Sequence, residues 1–376
     1  MGLTKRQKEL KVTILDILYT KGPISRIDIS KDTGITPATV SEIVGNLINE
    51  KLITEIGEAS PSLNTSGRKK ILLDISPNHS FYVGVELSEK FFSYCLIDNK
   101  GSLLEKEIIQ HNPLLSETNL TESLFVSTLN LFIKHCSKYQ PKAIGIALPG
   151  HFNEKTQSIL TNNLFWKKFN LDHLLSDIDL PIYFKNNVQC MALSERLFSL
   201  NNQDDNFTFL HVGRGMFCSS IYESHLYGDA NILVGEVGHI VVHPDGELCE
   251  CGKRGCLQTY ASESWIIKKS QILFDKSDST YLRQLVTHRD HLTVEVILQA
   301  YALGDEGVIN ILHNAMKYLS ITINNLSMII DSDRIILHGE LFKETQLSDL
   351  IKDYLENNAT LLATGKKVPV EIKDFS

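Results

Sequence analysis

The sequence has no run approaching the roughly 18 uncharged apolar residues of a membrane-spanning helix, which argues against a transmembrane protein. It also lacks the opening of a secretory signal, because Met1 to Lys11 is polar and charged. No even set of cysteines is present. There are seven, three of them within eight residues, and that is no disulfide framework of a secreted domain. In a reducing cytoplasm the pattern reads as a metal cluster plus scattered core thiols at Cys95, Cys136, Cys190 and Cys218. Positive charge is not in excess either. Against 45 Asp and Glu stand 37 Lys and Arg, a net charge of −8, which spread evenly would disfavour nucleic acid. The spread is uneven. Residues 1–77 hold 11 Lys and Arg against 9 Asp and Glu, so the front carries +2 and the remainder −10. There is no internal sequence repeat and no low-complexity tract. At 376 residues, 43% hydrophobic and 22% charged, the chain has ordinary globular composition and length for two or three domains with ample core.

What is present begins with helices. Leu10, Ile14, Ile17 and Leu18 recur at helical spacing, and Gly22-Pro23 ends that run. Ser25 can cap a second short helix that stops at Gly34. Thr36 can cap a third, with Pro37 at its first position and an apolar stripe of Val40, Ile43, Val44, Leu47 and Ile48. Weak strand character at Leu52–Glu55, a Ser/Pro/Gly loop at Gly57–Gly67 and a returning strand at Arg68–Ile75 add a wing. The front therefore reads as a winged helix-turn-helix over 1–77. From Ser80 short strands alternate with helices: strands at Phe81–Glu86, Phe92–Ile97, Ala143–Leu148, Ile182–Phe184, Phe207–Val212, Phe217–Tyr222 and Arg334–His338, with helices at Thr118–Lys138, after Ile182–Phe184 through about Ser199, and at Ser262–Phe274, Val294–Ala302 and Val308–Leu326. That alternation is an α/β body over 78–376.

The strongest chemical signal is His239-x9-Cys249-x-Cys251-x4-Cys256. One imidazole and three thiolates make a closed tetrahedral set for a structural zinc, one per chain. Gly252 and Gly255 let the backbone turn tightly enough for the sulfurs to converge. Four protein ligands leave no open position for a water, so such an ion organises a loop and does not catalyse.

Gly235–Ser262 (GEVGHIVVHPDGELCECGKRGCLQTYAS) closely resembles the signature of the ROK family, which groups repressors, open reading frames and sugar kinases. Ala143–Gly150, Thr161–Trp166 and Phe184–Glu195 resemble further family segments. Ile24-Ser25-Arg26 and Ser66-Gly67-Arg68 resemble the winged helix-turn-helix of its regulator branch. The resemblance implies an actin/hexokinase-like ATPase fold of two lobes, about 78–190 and 191–376, a sugar in the body's cleft, and zinc at His239, Cys249, Cys251 and Cys256. It also implies sugar contacts at Asn186, Asn187, Glu236, His239 and Gln258. Val368–Ser376 falls where the family usually continues into a last helix, so a neighbouring element is expected to fill that groove, or the hinge to be looser.

Sugar phosphorylation needs a general base beside the attacking hydroxyl and glycine-lined room for phosphates. Where the family's kinases have Asn-Asp, with the Asp as base, this chain has Asn186-Asn187, and an amide cannot accept that proton. The family's Asp-x-Gly-Gly-Thr loop is matched by Glu86-Leu87-Ser88-Glu89-Lys90, without either glycine. The second glycine-rich turn is reduced to Gly213-Arg214-Gly215, and a Gly-Gly pair becomes His338-Gly339. Kinase activity is not expected, and no catalytic residue is assigned.

The third helix is the expected DNA-reading element, with Thr36, Ala38, Thr39 and Ser41, and further along Asn46, at base edges, while Glu42 either accepts from cytosine N4 or faces solvent. Ser25, Arg26 and Lys31 suit phosphates, as does the wing cluster of Arg68, Lys69 and Lys70, with Arg68 a candidate for a minor groove. The reading is a cytoplasmic, sugar-responsive DNA-binding regulator, most simply a repressor, acting on a double-stranded operator as a homodimer or homotetramer. Two alternatives stay open at this point: an active sugar kinase with an accessory DNA-binding domain, and a sugar-independent DNA-binding protein with a vestigial pocket.

Overall fold

A computed structural model describes residues 4–58, 70–111, 120–161, 163–167, 169–171, 178–199, 206–357 and 368–373. By its internal contacts the chain forms two compact units. One is Met1–Cys190 with Ser194–Gln203, and the other is Met191–Leu193 with Asp204–Ser376.

The first unit opens with α1 (Lys5–Lys21), whose N-terminus is closed by a reciprocal capping box between Thr4 and Gln7. A two-residue strand β1 (Ile24–Ser25) leads into α2 (Arg26–Thr33), which ends on Gly34 in the left-handed conformation. Thr36 caps α3 (Pro37–Asn49), with Pro37 where a missing N–H costs nothing. The wing strands β2 (Ile53–Glu58) and β3 (Ile71–Ile75) complete an antiparallel sheet in the order β1-β3-β2. Ile14, Leu18, Ile29, Val40, Val44, Leu47 and Leu73 close a core under these elements. The strand expected from Arg68 starts at Ile71. Arg68, Lys69 and most of the expected loop lie outside the described residues.

The same unit continues with β4 (Phe81–Leu87), β5 (Phe91–Asp98), β6 (Leu103–Gln110), α4 (Glu122–His135) and β7 (Ile144–Leu148). A short hairpin of β8 (His151–Asn153) and β9 (Ser158–Leu160) precedes β10 (Ile182–Asn186) and α5 (Asn187–Phe198). The sheet order is β10-β7-β4-β5-β6, antiparallel across β4, β5 and β6 and parallel across β4, β7 and β10. Strand β6 was not anticipated. It is a mostly exposed edge whose Glu105-Lys106-Glu107 run breaks the apolar alternation, as edge strands commonly do.

The second unit holds β11 (Phe207–Val212), β12 (Met216–Tyr222), β13 (His225–Leu226), α6 (Glu263–Lys276), α7 (Val294–Ala302), α8 (Glu306–Ile329), β14 (Arg334–His338), α9 (Thr345–Asn357) and β15 (Val370–Ile372). Its sheet order, β13-β12-β11-β14-β15, repeats the first: three antiparallel strands, then two parallel ones. Two sequences with no evident repeat thus fold to one strand pattern. Helix α9 and strand β15 were also unanticipated. The stripe of Leu347, Leu350 and Ile351 sits among polar residues, and β15 has only three residues. No helix among the described residues is long and apolar enough to cross a membrane.

Candidate functional site

Helix α3 buries Val40, Ile43, Val44 and Leu47 and turns Thr36, Ala38, Ser41, Glu42 and Asn46 to solvent, with Thr39 half-buried. The Thr36 hydroxyl caps the Thr39 amide and lies 2.9 Å from the Thr39 hydroxyl. Small, uncharged groups at a helix N-terminus suit close approach to a groove floor. Ser25 requires a correction. It is buried at 2% exposure, its hydroxyl accepting from the Asp28 amide and donating to the Asp28 carboxylate at 2.6 Å, so it caps α2 and presents nothing to a phosphate. Arg26 pairs with Glu55 at 2.8 Å, and Lys70 pairs with Asp28 at 2.7 Å. Such exposed pairs are worth at most about 1 kcal/mol each, so a phosphate can displace the acid. Lys31 is exposed.

The front segment is tied to the first body sheet by contacts that the sequence reading missed. Arg196, near the end of α5, is almost completely buried and donates two hydrogen bonds to the Asp16 carboxylate on α1, at 2.8 and 2.6 Å. Tyr19 on α1 donates to the Asn99 carbonyl at 2.7 Å and meets the Phe198 ring edge-on. His79 Nε2 lies 3.0 Å from the Glu50 carbonyl, and Lys100 pairs with Asp74 at 2.8 Å. No local pattern announces a partnership between residues 180 positions apart.

Helix α5 starts at the predicted sugar contacts. Asn186 is buried. Its side-chain carbonyl accepts from the Val188 and Gln189 amides, and its amide donates to the Gly150 carbonyl at 3.2 Å. Its carbonyl and one of its two amide hydrogens are thereby engaged in shaping the turn. Asn187 is half-buried, its carbonyl accepting from the Val188 amide at 2.9 Å. At the start of α5 the chain therefore presents an amide side chain.

In the second unit the cysteine loop is assembled by backbone. The Cys249 amide donates to the Lys253 carbonyl and the Gly252 amide to the Cys249 carbonyl. Gly255, at φ 67°, passes so close to the His243 carbonyl that a Cβ would lie 1.5 Å from its oxygen, and only glycine fits. The ligand atoms of His239, Cys249, Cys251 and Cys256 all lie within 4.8 Å of one another. The Cys251 and Cys256 sulfurs are 3.6 Å apart, and the Cys249 sulfur is 3.5 Å from His239 Nδ1. Those edges are close to the roughly 3.8 Å between sulfurs on a tetrahedral ion with bonds of about 2.3 Å. Burial, and then the neighbouring sulfurs, push the Cys256 thiol up to about 12, the direction expected of a sulfur crowded by others with no cation between them. Burial holds His239 below the ordinary histidine value, in the neutral form a metal requires. The group can hold a metal ion.

The preceding loop is pinned by Gly235, at φ 102°, where a Cβ would strike the Cys218 carbonyl and the Phe217 ring. Beside it, a recess of about 170 Å³ is lined by Cys218, Leu233, Glu236, Ile240, Leu326 and Ile330 among others. Glu236 is half-buried there, and burial raises its pKa. Gln258, a predicted sugar contact, is 4% exposed and donates to the Glu250 carboxylate at 2.8 Å.

The strand ends at which the family resemblance places phosphates carry bulky or charged side chains. Glu89, in the turn between β4 and β5, accepts from the Asn163 amide. At the ends of β11 and β14, His211 and His338 stack with their Nδ1 atoms 2.9 Å apart, and His211 crowds Gly213. The imidazoles lie beside Gly213 and Gly339, at the ends of the two parallel strands. The sequence reading flagged His338 as a lost glycine and did not foresee its partner.

A winged helix-turn-helix followed by a body of two like-ordered five-stranded sheets defines a class, a DNA-binding front on a hexokinase-like frame. The winged helix-turn-helix DNA-binding profile matches residues 8–54. The ROK family profile matches residues 82–373, and the chain belongs to that family. It is 26% identical over 371 residues to the xylose repressor of Bacillus spizizenii, covering 95% of this chain and 91% of that one. It is 27% identical over 359 residues to the DNA-binding transcriptional dual regulator NagC of Escherichia coli K12, covering 93% and 84%. Among solved structures, a ROK family transcriptional regulator described as a homolog of the E. coli MLC protein superposes with a TM-score of 0.77 at 21% identity, over 97% of this chain and 92% of that one. The ROK glucokinase of Streptomyces griseus superposes with a TM-score of 0.65 at 20% identity, over 78% and 94%. At those identities the structures establish the fold.

Proposed function

We propose that this protein is a sugar-responsive, DNA-binding transcriptional regulator, a repressor of genes for carbohydrate transport or catabolism. The observation that carries the reading is the joining, in one chain, of a winged helix-turn-helix to a sugar-kinase frame whose base position is Asn187. Residues 1–77 bind an operator, and 78–376 bind a sugar, with lobes at about 78–190 and 191–376. The relatives named as xylose repressor and NagC support the same reading.

DNA is met by Thr36, Ala38, Thr39 and Ser41 on α3, with Arg26 and the wing's Arg68, Lys69 and Lys70 on phosphates. The sugar is met by Asn187, Glu236 and His239, with Gln258 adjacent. His239, Cys249, Cys251 and Cys256 hold one structural zinc, whose part is to fix the loop from Glu236 to His239 so that one imidazole nitrogen is committed and the ring orientation is set. The sugar shifts DNA affinity only by its differential affinity for two arrangements of the body. The protein acts in the cytoplasm, as a homo-oligomer, and without kinase activity.

The test combines operator binding and ATP turnover across a panel of pentoses and hexoses, free and phosphorylated. The expected outcome is DNA affinity altered by one sugar, loss of that response in Glu236→Gln with zinc retained, and ATP consumption at background. Turnover that disappears in Glu236→Ala would convert the reading to a kinase with an accessory front. DNA binding with no stabilisation by any sugar would leave the pocket vestigial. Zinc retained by Cys251→Ala would refute the ligand set.

A further inference from the structure

Helix α5 links the predicted sugar contacts to the front of the molecule. At its start the Asn186 side chain caps the first turn and donates to the Gly150 carbonyl at 3.2 Å, and Asn187 follows. Nine residues on, roughly 14 Å along a helix that rises about 1.5 Å per residue, Arg196 holds the Asp16 carboxylate of α1 at 2.8 and 2.6 Å. Phe198, the last residue of α5, is seated between two partners. It meets the Tyr19 ring edge-on with centroids 6.4 Å apart, and it packs on Gly101, where a Cβ would lie 2.8 Å from the ring. Asp16, Tyr19, Gly101, Gly150, Asn187 and Arg196 all fall within the first compact unit.

Packing makes α5 a stiff connector. Val188, Ala192, Glu195 and Arg196 are buried, a stripe at i, i+4, i+7 and i+8 that runs almost the length of the helix. A helix seated along such a stripe shifts as one body, because close-packed interiors switch between arrangements and do not deform continuously. The grip at its far end is directional. Arg196 is 7% exposed, and its two hydrogen bonds to one carboxylate fix angle as well as distance. On the receiving side Ile14, Ile17 and Leu18 flank Asp16 and share one core with Ile29 of α2 and Val40 of α3, so a displacement of Asp16 moves the whole front. Two further ties between the front and the first sheet, His79 to the Glu50 carbonyl and Lys100 to Asp74, sit beside the chain's passage from β3 to β4 and involve no residue of α5.

We propose that α5 carries sugar occupancy to the winged helix, with Arg196 as the positioning residue that couples the two ends. The proposal rests on the sugar-responsive reading above and names the route within it. A ligand that shifts the start of α5 turns α1 through the Arg196–Asp16 pair, and with it the angle at which α3 meets DNA. The size of the effect is set by the difference in ligand affinity between the two positions of the helix. An anchor without this role would steady the front equally with and without ligand.

Operator binding by the full-length, metal-loaded chain, measured with and without each of a panel of pentoses and hexoses, tests it. In the parent one sugar should change the operator dissociation constant by about fivefold or more. Arg196→Ala and Asp16→Ala should each bring that change below about twofold, with sugar affinity within about twofold of the parent, and the double variant should be no worse than either single one. Lys100→Ala, which breaks a tie that α5 does not carry, should keep the parent's response. Hydrogen exchange reads the same coupling without DNA. The sugar should alter amide protection across residues 14–19 in the parent and in Lys100→Ala, and leave it unaltered in Arg196→Ala. A full sugar response in Arg196→Ala, whatever its basal operator affinity, would overturn the proposal and leave Arg196 a plain anchor. A response lost to the same extent in Lys100→Ala would overturn it as well. A parent whose operator affinity no sugar alters is a different failure, because it overturns the sugar-responsive reading and this route with it.

Discussion

The two five-stranded sheets share one strand order and differ in what is attached to them. The first, β10-β7-β4-β5-β6, delivers Asn187 at one end of α5 and Arg196 near the other, where it grips Asp16 of the winged helix. The second, β13-β12-β11-β14-β15, carries the His/Cys loop that could hold a metal ion and the Glu236 recess. One architecture thus supports an attachment to the front segment in one unit and, in the other, a His/Cys loop that could hold a metal ion. The frame does not choose between these uses. The loops and helix ends do.

That comparison is broken most severely at Gly255. Gly255→Ala should abolish metal binding and destabilise the second unit by several kcal/mol, a fall of the order of 10 °C in Tm, read by calorimetry and metal analysis. The first unit's transition should not move. A shared shift of both transitions would show that the units do not melt separately.

Next comes the attachment. Arg196→Ala leaves Asp16 without its bidentate partner and should cost about 1–3 kcal/mol locally. Limited proteolysis should cut within residues 1–77 several-fold faster, with metal content unchanged. An unchanged cleavage rate would remove the clamp from the argument. If α5 also transmits sugar occupancy, the same variant should keep sugar binding and lose its effect on DNA.

A smaller effect is expected at the wing. Arg68→Ala should weaken operator binding and reduce the salt slope by about one unit if Arg68 neutralises one phosphate. An unaltered slope would place Arg68 off the backbone.

The smallest effect concerns Asp28. Hydrogen bonding from Lys70, and then from Ser25, holds its carboxyl below the ordinary value of 3.8. A depressed folded-state pKa means that the pair's contribution is complete above the ordinary value and lost as pH falls through the lower one. Lys70→Ala should move the Asp28 titration upward, as followed by carboxyl NMR, with little change in Tm. A midpoint that stays in place would assign the shift to Ser25 and the Lys31 charge.

The front of the molecule was largely legible because its signals are local. Caps at Thr36, a stop at Gly34 and the stripe from Val40 to Leu47 lie within a few turns of chain. The metal-ligand set was legible for the same reason, spanning residues 239–256. Less legible were residues whose local and distant roles compete. Asn186 and Ser25 carry groups that could meet a ligand, yet nearby backbone amides claim them first, and spacing does not reveal which claim wins.

By itself the sequence determined the composition of each site: an amide in place of a base, three thiols and an imidazole, a small polar face on a DNA-reading helix. These follow from residue identity and short spacing. The tertiary structure alone decided which distant groups meet. It joined Arg196 to Asp16, stacked His211 on His338 across 127 residues, ordered two dissimilar segments into one strand pattern, and set Leu233, Glu236 and Ile240 around one recess with Leu326 and Ile330 at the end of α8. The physical reason is that such contacts are fixed by chain closure and packing over long separations, and local periodicity carries no record of them.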